Sequence, residues 1–160
     1  MSGYRRNRPS EGTKIYNRRK SLDSIKELME KNPAKAKSEL YRHLSENPDD
    51  MYAWFYYGKM CLNESYLDEA EYAYTKVAYS TSRNKYAGIT GLGDVARLRG
   101  DNATAKKYYH RSIAENPTEQ PPTYFILARL ETTEGNYDEA LRILSKLKPS
   151  NAVQIEKIRI

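Results

Sequence analysis

Two histidines, one cysteine and twenty-one carboxylates are the side chains with which this 160-residue chain could do catalytic or metal chemistry. Their spacing assembles none of it. His43 and His110 stand 67 residues apart, and neither falls in a spacing that chelates a metal, so both are expected on helix surfaces. Cys61 has no second cysteine to pair with. It reads as a buried, inert thiol, and a chain so poor in cysteine fits a cytoplasmic location. Gly91-Leu-Gly93 is too short for a nucleotide-binding fingerprint and lies in a helical pattern rather than after a strand. The Asn-x-Ser/Thr triplets at Asn63 and Asn102 are chance matches in a cytoplasmic chain. The expectation is therefore of no enzyme, no metal and no cofactor.

Charge offers a different chemistry. Residues 1–20 hold Arg5, Arg6, Arg8, Lys14, Arg18, Arg19 and Lys20 against the single acid Glu11, which equals the whole net charge of +6. Residues 21–160 carry twenty charges of each sign. With glycine, proline, serine and asparagine between its cations, this stretch is expected to be a disordered arm. Such an arm suits phosphate backbones or an acidic protein surface, with Tyr4 and Tyr16 able to stack on bases; a merely solubilising tail is the plain alternative. No window reaches the roughly 18 apolar residues of a membrane span, so no membrane partner is expected.

Fifteen tyrosines stand against two phenylalanines and one tryptophan. A residue with an apolar face and a polar tip suits half-buried helix surfaces and binding grooves alike. What positions these side chains is an internal repeat. Ala36, Ala70, Ala105 and Ala140 recur at steps of 34, 35 and 35 residues. Around them recur Trp54 with Gly58, Leu92 with Gly93, and Leu127 with Ala128, then Tyr74, Tyr109 and Leu144. Gly58, Gly93 and Ala128 are small so that the first helix of each hairpin can lie close to the second, and the alanines are small for the reciprocal reason. Gly100-Asp101 and Gly135-Asn136 offer a left-handed residue and a helix cap for tight turns.

This pattern resembles the tetratricopeptide repeat family across residues 21–149, whose period is about 34 residues. Gly135, Tyr137 and Ala140 carry one family signature almost verbatim, and Trp54 and Gly58 another. Ser65 stands where a turn glycine is usual and Ser82 where a terminal proline is usual, while Pro149 comes early. The resemblance implies an all-α fold, a right-handed superhelical stack of about four helix–turn–helix pairs. These are expected at 21–48, 51–82, 85–117 and 121–149 within a domain of 21–150, the first pair being degenerate. In that pair Ser24 to Glu27 fits a capping box, and Asn32-Pro33 would cap and open the second helix. Residues 151–160 form a tail whose four branched apolar residues share no single helical face.

In such stacks the first helices line a concave face that usually holds peptides. Carried over by position, that face takes Tyr52, Phe55, Tyr56, Lys59 and Asn63. Thr90, Asp94 and Arg97 follow, then Phe125, Ile126 and Arg129. Positions 52, 55, 56, 59 and 63 do share one helical stripe. Some relatives clamp the carboxylate end of chaperones with a Lys–Asn pair; here those positions are Phe55 and Lys59, so that clamp is missing. The expected function is a protein–protein adaptor or scaffold binding a peptide segment in this groove. Two alternatives are a nucleic-acid-associated protein that uses the arm for phosphates, and a homo-oligomer assembled through its end repeats.

Overall fold

The computed structural model describes residues 10–118 and 121–160, and the side chains of all these except 18–21 and 121. The described residues form helices without strands: α1 (Glu11–Lys31), α2 (Pro33–Glu46), α3 (Met51–Asn63), α4 (Leu67–Ala78), α5 (Lys85–Leu98), α6 (Asn102–Glu115), α7 (Pro121–Thr133), α8 (Tyr137–Ser145) and α9 (Asn151–Ile158). They fall into two compact units, one ending at Ala53 and the other spanning Trp54–Ile160.

In the first unit α1 begins ten residues earlier than the start expected at residue 21. The Ser10 side chain caps it by accepting from the Thr13 amide, and Glu11 sits favourably in the first turn. Residues 11–20 are thus helix rather than disordered arm, and the supposed capping box from Ser24 to Glu27 lies inside the helix. Lys14 pairs with Glu11 at 3.4 Å on an exposed face. Arg5, Arg6 and Arg8 lie outside the described residues, as do the side chains of Arg18, Arg19 and Lys20. Asn32 and Pro33 open α2 as expected, the Asn32 side chain accepting from the Lys35 amide. Leu22, Ile25, Ala36, Leu40 and Leu44 are this unit's buried apolar residues, with Ala53. His43, expected on the surface, is buried. Its Nε2 meets Asp50 Oδ2 at 2.9 Å, while Asp50 Oδ1 accepts from the amides of Tyr52 and Ala53. A polar ring is tolerated inside because its partner is a helix-capping carboxylate.

The second unit repeats one turn three times. Ser65, Gly100 and Gly135 each adopt positive φ (63°, 81° and 82°). Each turn has the same two bonds: Ser65 to Leu62 and Tyr66 to Cys61, Gly100 to Arg97 and Asp101 to Ala96, Gly135 to Thr132 and Asn136 to Glu131. Those bonds occupy the last carbonyls of the preceding helix, and the left-handed residue reverses the chain. Asp101 then caps α6 through the Thr104 amide. Asn136, expected to do the same for α8, makes no cap bond and instead donates to Glu131 Oε2 at 2.8 Å. Ser65 bears a Cβ where the other two turns have none. Ser65→Gly is therefore expected to raise stability by about 0.5–1 kcal/mol, read as a melting temperature higher by about 2–4 °C per kcal/mol.

Packing follows the small residues. A Cβ on Gly58 would stand 3.0 Å from the Tyr74 ring, and one on Gly93 only 2.6 Å from the Tyr109 ring. The third hairpin has Ala128 at the equivalent place, and Leu144 stands where a ring would not fit; both are wholly buried. The exchange of glycine–tyrosine for alanine–leucine conserves the filled volume. Residues 151–160 are no loose tail, because Ser150 caps α9 through the Val153 amide. Val153 is buried in the same core as Ile143 and Leu144.

Candidate functional site

The first helices of the three hairpins in the second unit leave a cleft of about 380 Å³. From α3 come Phe55, Lys59, Leu62 and Asn63; from α5, Tyr86, Ala87, Thr90, Gly91 and Asp94; from α7, Pro122 and Thr123, with Tyr74 of α4 behind them. Helical spacing explains the set: 55, 59 and 62 share a face of α3, and 87, 90, 91 and 94 share a face of α5. Gly91 opens the floor. A Cβ there would lie 2.5 Å from the Tyr74 ring, so only glycine lets α5 lie over it.

The floor is held by two polar networks. Tyr109 donates its hydroxyl to Asp94 Oδ1 at 2.7 Å and accepts from Arg97 Nε at 3.3 Å. Arg97 Nη2 stands 3.8 Å from the same carboxylate oxygen. Burial pushes the Asp94 carboxyl above the ordinary carboxylate range, against the Tyr109 bond and the nearby Arg97, which pull it back. Burial first, then the Asp94 charge, pushes the Tyr74 and Tyr109 hydroxyls well up, so both stay neutral donors. In the second network the fully buried Ser112 donates to the Tyr86 carbonyl at 2.8 Å and lies 2.7 Å from the Thr90 hydroxyl. Thr90 approaches Thr123 more loosely, at 3.5 Å. This chain of hydroxyls ties α5, α6 and α7 together beneath the cleft.

Other groups on the cleft wall are not used up internally. Among the described residues, Lys59 Nζ, the Asn63 amide, the Tyr74 hydroxyl and Asp94 Oδ2 make no hydrogen bond or ion pair. Phe55 is half-buried, edge-on to Tyr56 with centroids 5.5 Å apart and tilted against Tyr74 at 6.2 Å.

Of the residues expected on the concave face, the cleft thus brings together Phe55, Lys59, Asn63 and Asp94, with Thr90. Tyr56 supports Phe55 from outside the lining. Arg97 is turned to Tyr109 and Asp94 rather than into the cleft. Phe125 and Ile126 are packed against the core around Tyr124 and Leu127. Arg129 is engaged by α9: its Nη2 donates to Glu156 Oε2 at 2.8 Å, and this pair holds the Glu156 carboxyl below its ordinary range. Tyr52 belongs to the first unit, where Lys26 Nζ lies 4.5 Å from its ring centroid and 3.3 Å from its hydroxyl. Position in the repeat found the first two helices of the cleft. It overran on the third because the tail, with its buried Glu156, has no counterpart in the repeat pattern. Tyr86, Gly91 and Thr123 were missed; the closeness of Gly88 and Gly91 in one helix was the available signal for a tight helix approach.

No group of His, Cys, Asp and Glu among the described residues could hold a metal ion. No helix among them is long and apolar enough to cross a membrane.

Comparison with known proteins finds one sequence match over part of the chain and several likenesses of fold. Residues 96–157 match the profile of the Tetratricopeptide repeat family. No curated protein sequence matches. Among solved structures, the chain is similar to PilF of Pseudomonas aeruginosa, at 19% identity and a TM-score of 0.72 over 87% of this chain and 63% of that one. It therefore spans less than two thirds of PilF. It is also similar to the MamA protein, at 17% identity and a TM-score of 0.64 over 81% of this chain and 70% of MamA. A second MamA structure, designated MSR-1 C2, gives 18% identity and a TM-score of 0.62, covering 87% and 76% of the respective chains. At these identities the likeness is one of fold.

Proposed function

We propose that this tetratricopeptide-repeat protein is an interaction scaffold that holds a peptide segment of a protein partner in the cleft between α3, α5 and α7. Repeats of this type generally mediate protein–protein interaction. The observation that carries the reading is the division of labour among the cleft's polar groups. The floor groups are fixed by Tyr109 and Ser112, whereas Lys59, Asn63, Tyr74 and one oxygen of Asp94 keep unspent hydrogen-bonding capacity among the described residues. Donors and acceptors of both kinds beside an aromatic anchor suit a peptide, whose backbone offers both and whose side chains supply the apolar part.

The test is a selection of random dodecapeptides by display against the whole chain, followed by titration of single peptides by fluorescence anisotropy. Phe55→Ala, with helicity confirmed by circular dichroism, is expected to weaken the selected peptides about tenfold or more, the loss of one true anchor. Glu69→Ala, at an exposed position of α4, is expected to leave them within twofold. Absence of binders, or equal affinity of the folded Phe55→Ala chain, would overturn the reading.

A further inference from the structure

Asp94 stands out in the cleft because the fold uses only half of it. Oδ1 receives the Tyr109 hydroxyl and faces Arg97, while Oδ2 has no bonded partner among the described residues. The side chain is 20% exposed, so an occupant of the cleft would strip the remaining water from a carboxylate oxygen. Leaving a charged acceptor unpaired in that way is among the costlier events in binding. We infer that Asp94 is the receptor for a cationic side chain, a lysine or arginine of the bound peptide, which reaches Oδ2 at the cleft floor. The inference rests on the peptide-binding reading above and specifies what that peptide must carry.

Four features favour a cation over a neutral donor. A charge-assisted bond is shorter and roughly twice as strong as a neutral one, and only a cation also offsets the buried charge. Arg97 does not fulfil this task, since its Nε is spent on Tyr109 and its Nη2 approaches Oδ1 alone, at 3.8 Å. Lys59, the cation of the lining, is exposed on a long flexible stem and can turn outward. It then stands ready for a carbonyl or carboxylate elsewhere on the peptide, with Asn63. The neighbouring titratable groups, Tyr74 and Tyr109, are hydroxyls that stay neutral and do not repel a cation.

The fold itself has no need of the negative charge. An amide oxygen in the same place would still accept from the Tyr109 hydroxyl, in a weaker neutral bond. Burial raises the carboxyl's folded pKa above its unfolded one, so the stability tied to this group is present at low pH and lost as pH rises through the raised value. A carboxyl whose charged form burial disfavours is thus retained against the interest of stability, as binding groups commonly are.

The experiment uses the whole chain and the displayed dodecapeptide library. Binders selected by the unaltered chain are expected to share a lysine or arginine at one fixed distance from an aromatic or aliphatic residue. Replacing that lysine or arginine by glutamine in the synthetic peptide is expected to weaken binding tenfold or more. Asp94→Asn is expected to weaken the parent peptide equally, and the glutamine peptide by less than about twofold, so that the two changes are coupled. Phe55-dependent binders that lack a common basic residue would overturn the inference while leaving the peptide cleft in place. Additive losses from Asp94→Asn and the glutamine peptide would overturn it too. Failure to select any Phe55-dependent binder would remove the cleft reading and this inference with it. The glutamine peptide is measured on the unaltered chain, so a poorly folded Asp94→Asn variant does not stall the test.

Discussion

Tyr109→Ala is expected to cost the fold about 4 kcal/mol, the range for losing a large aromatic from a packed interior. The ring is wholly buried, lies against the face of Gly93 and belongs to the core containing Ala105 and Leu127. Gly93 has no side chain to move into the void, so little relaxation is available. Tyr109→Phe separates the two parts of that loss. It keeps the ring and removes a hydroxyl that satisfies Asp94 Oδ1 and accepts from Arg97. The cost is expected to be about 1–2 kcal/mol, that of leaving a largely buried acceptor without its donor. Urea unfolding checks both variants. Equal losses would mean that the hydroxyl, not the ring, carries the residue's contribution.

Gly88→Ala has the next largest expected effect. A Cβ there would stand 2.5 Å from the Ala78 amide nitrogen, 2.7 Å from Val77 Cβ and 2.8 Å from the Tyr74 carbonyl oxygen. Two of these are backbone atoms of α4, so no rotamer relieves the contact and α5 must move. Overpacking of this kind costs about 3 kcal/mol, and the better helix propensity of alanine returns about 1. The net loss is expected to be about 2 kcal/mol, a melting temperature lower by about 4–8 °C. Gly12, in α1, supplies the control, since a Cβ there meets nothing within 4 Å. Gly12→Ala is expected to raise stability by about 0.5–1 kcal/mol. The same chemical change thus has opposite signs at two helical glycines, decided only by what lies opposite.

Which parts of this were legible beforehand follows from where the repeat speaks. The recurrence of small residues at 58, 93 and 128 with large ones 16 positions later located the hairpins to within a few residues, because that pairing is itself the packing contact. The turns were legible for the same reason, including the anomalous Ser65. Outside the repeat the signals failed. Ser24 to Glu27 satisfies the composition of a capping box, but Ser10 caps the helix earlier and the later signal is overridden. Basic, proline-bearing composition suggested an arm through residue 20, while α1 accommodates residues 11–20 with Lys14 paired to Glu11. The tail's branched residues share no face, yet a capping Ser150, buried Val153 and the Glu156–Arg129 pair suffice to dock a short helix. That last contact is also why Arg129 left the expected groove. Such a pairing joins residues 27 apart and has no periodic trace in the sequence. His43 shows the same blindness, since its burial depends on where Asp50 returns.

The cleft as the binding surface is tested most directly by photo-crosslinking. A photoreactive amino acid is placed at Lys59, on the cleft wall and without an ion pair among the described residues. A matched chain carries it at Glu69, exposed on α4 and outside the cleft lining. Each is irradiated with the same library-selected dodecapeptide, and the adduct is quantified by intact-mass spectrometry. The expected result is an adduct from position 59 that disappears on competition with excess unlabelled peptide, and only background from position 69. A competable adduct from position 69, with none from position 59, would place the peptide elsewhere and contradict the cleft as the binding site.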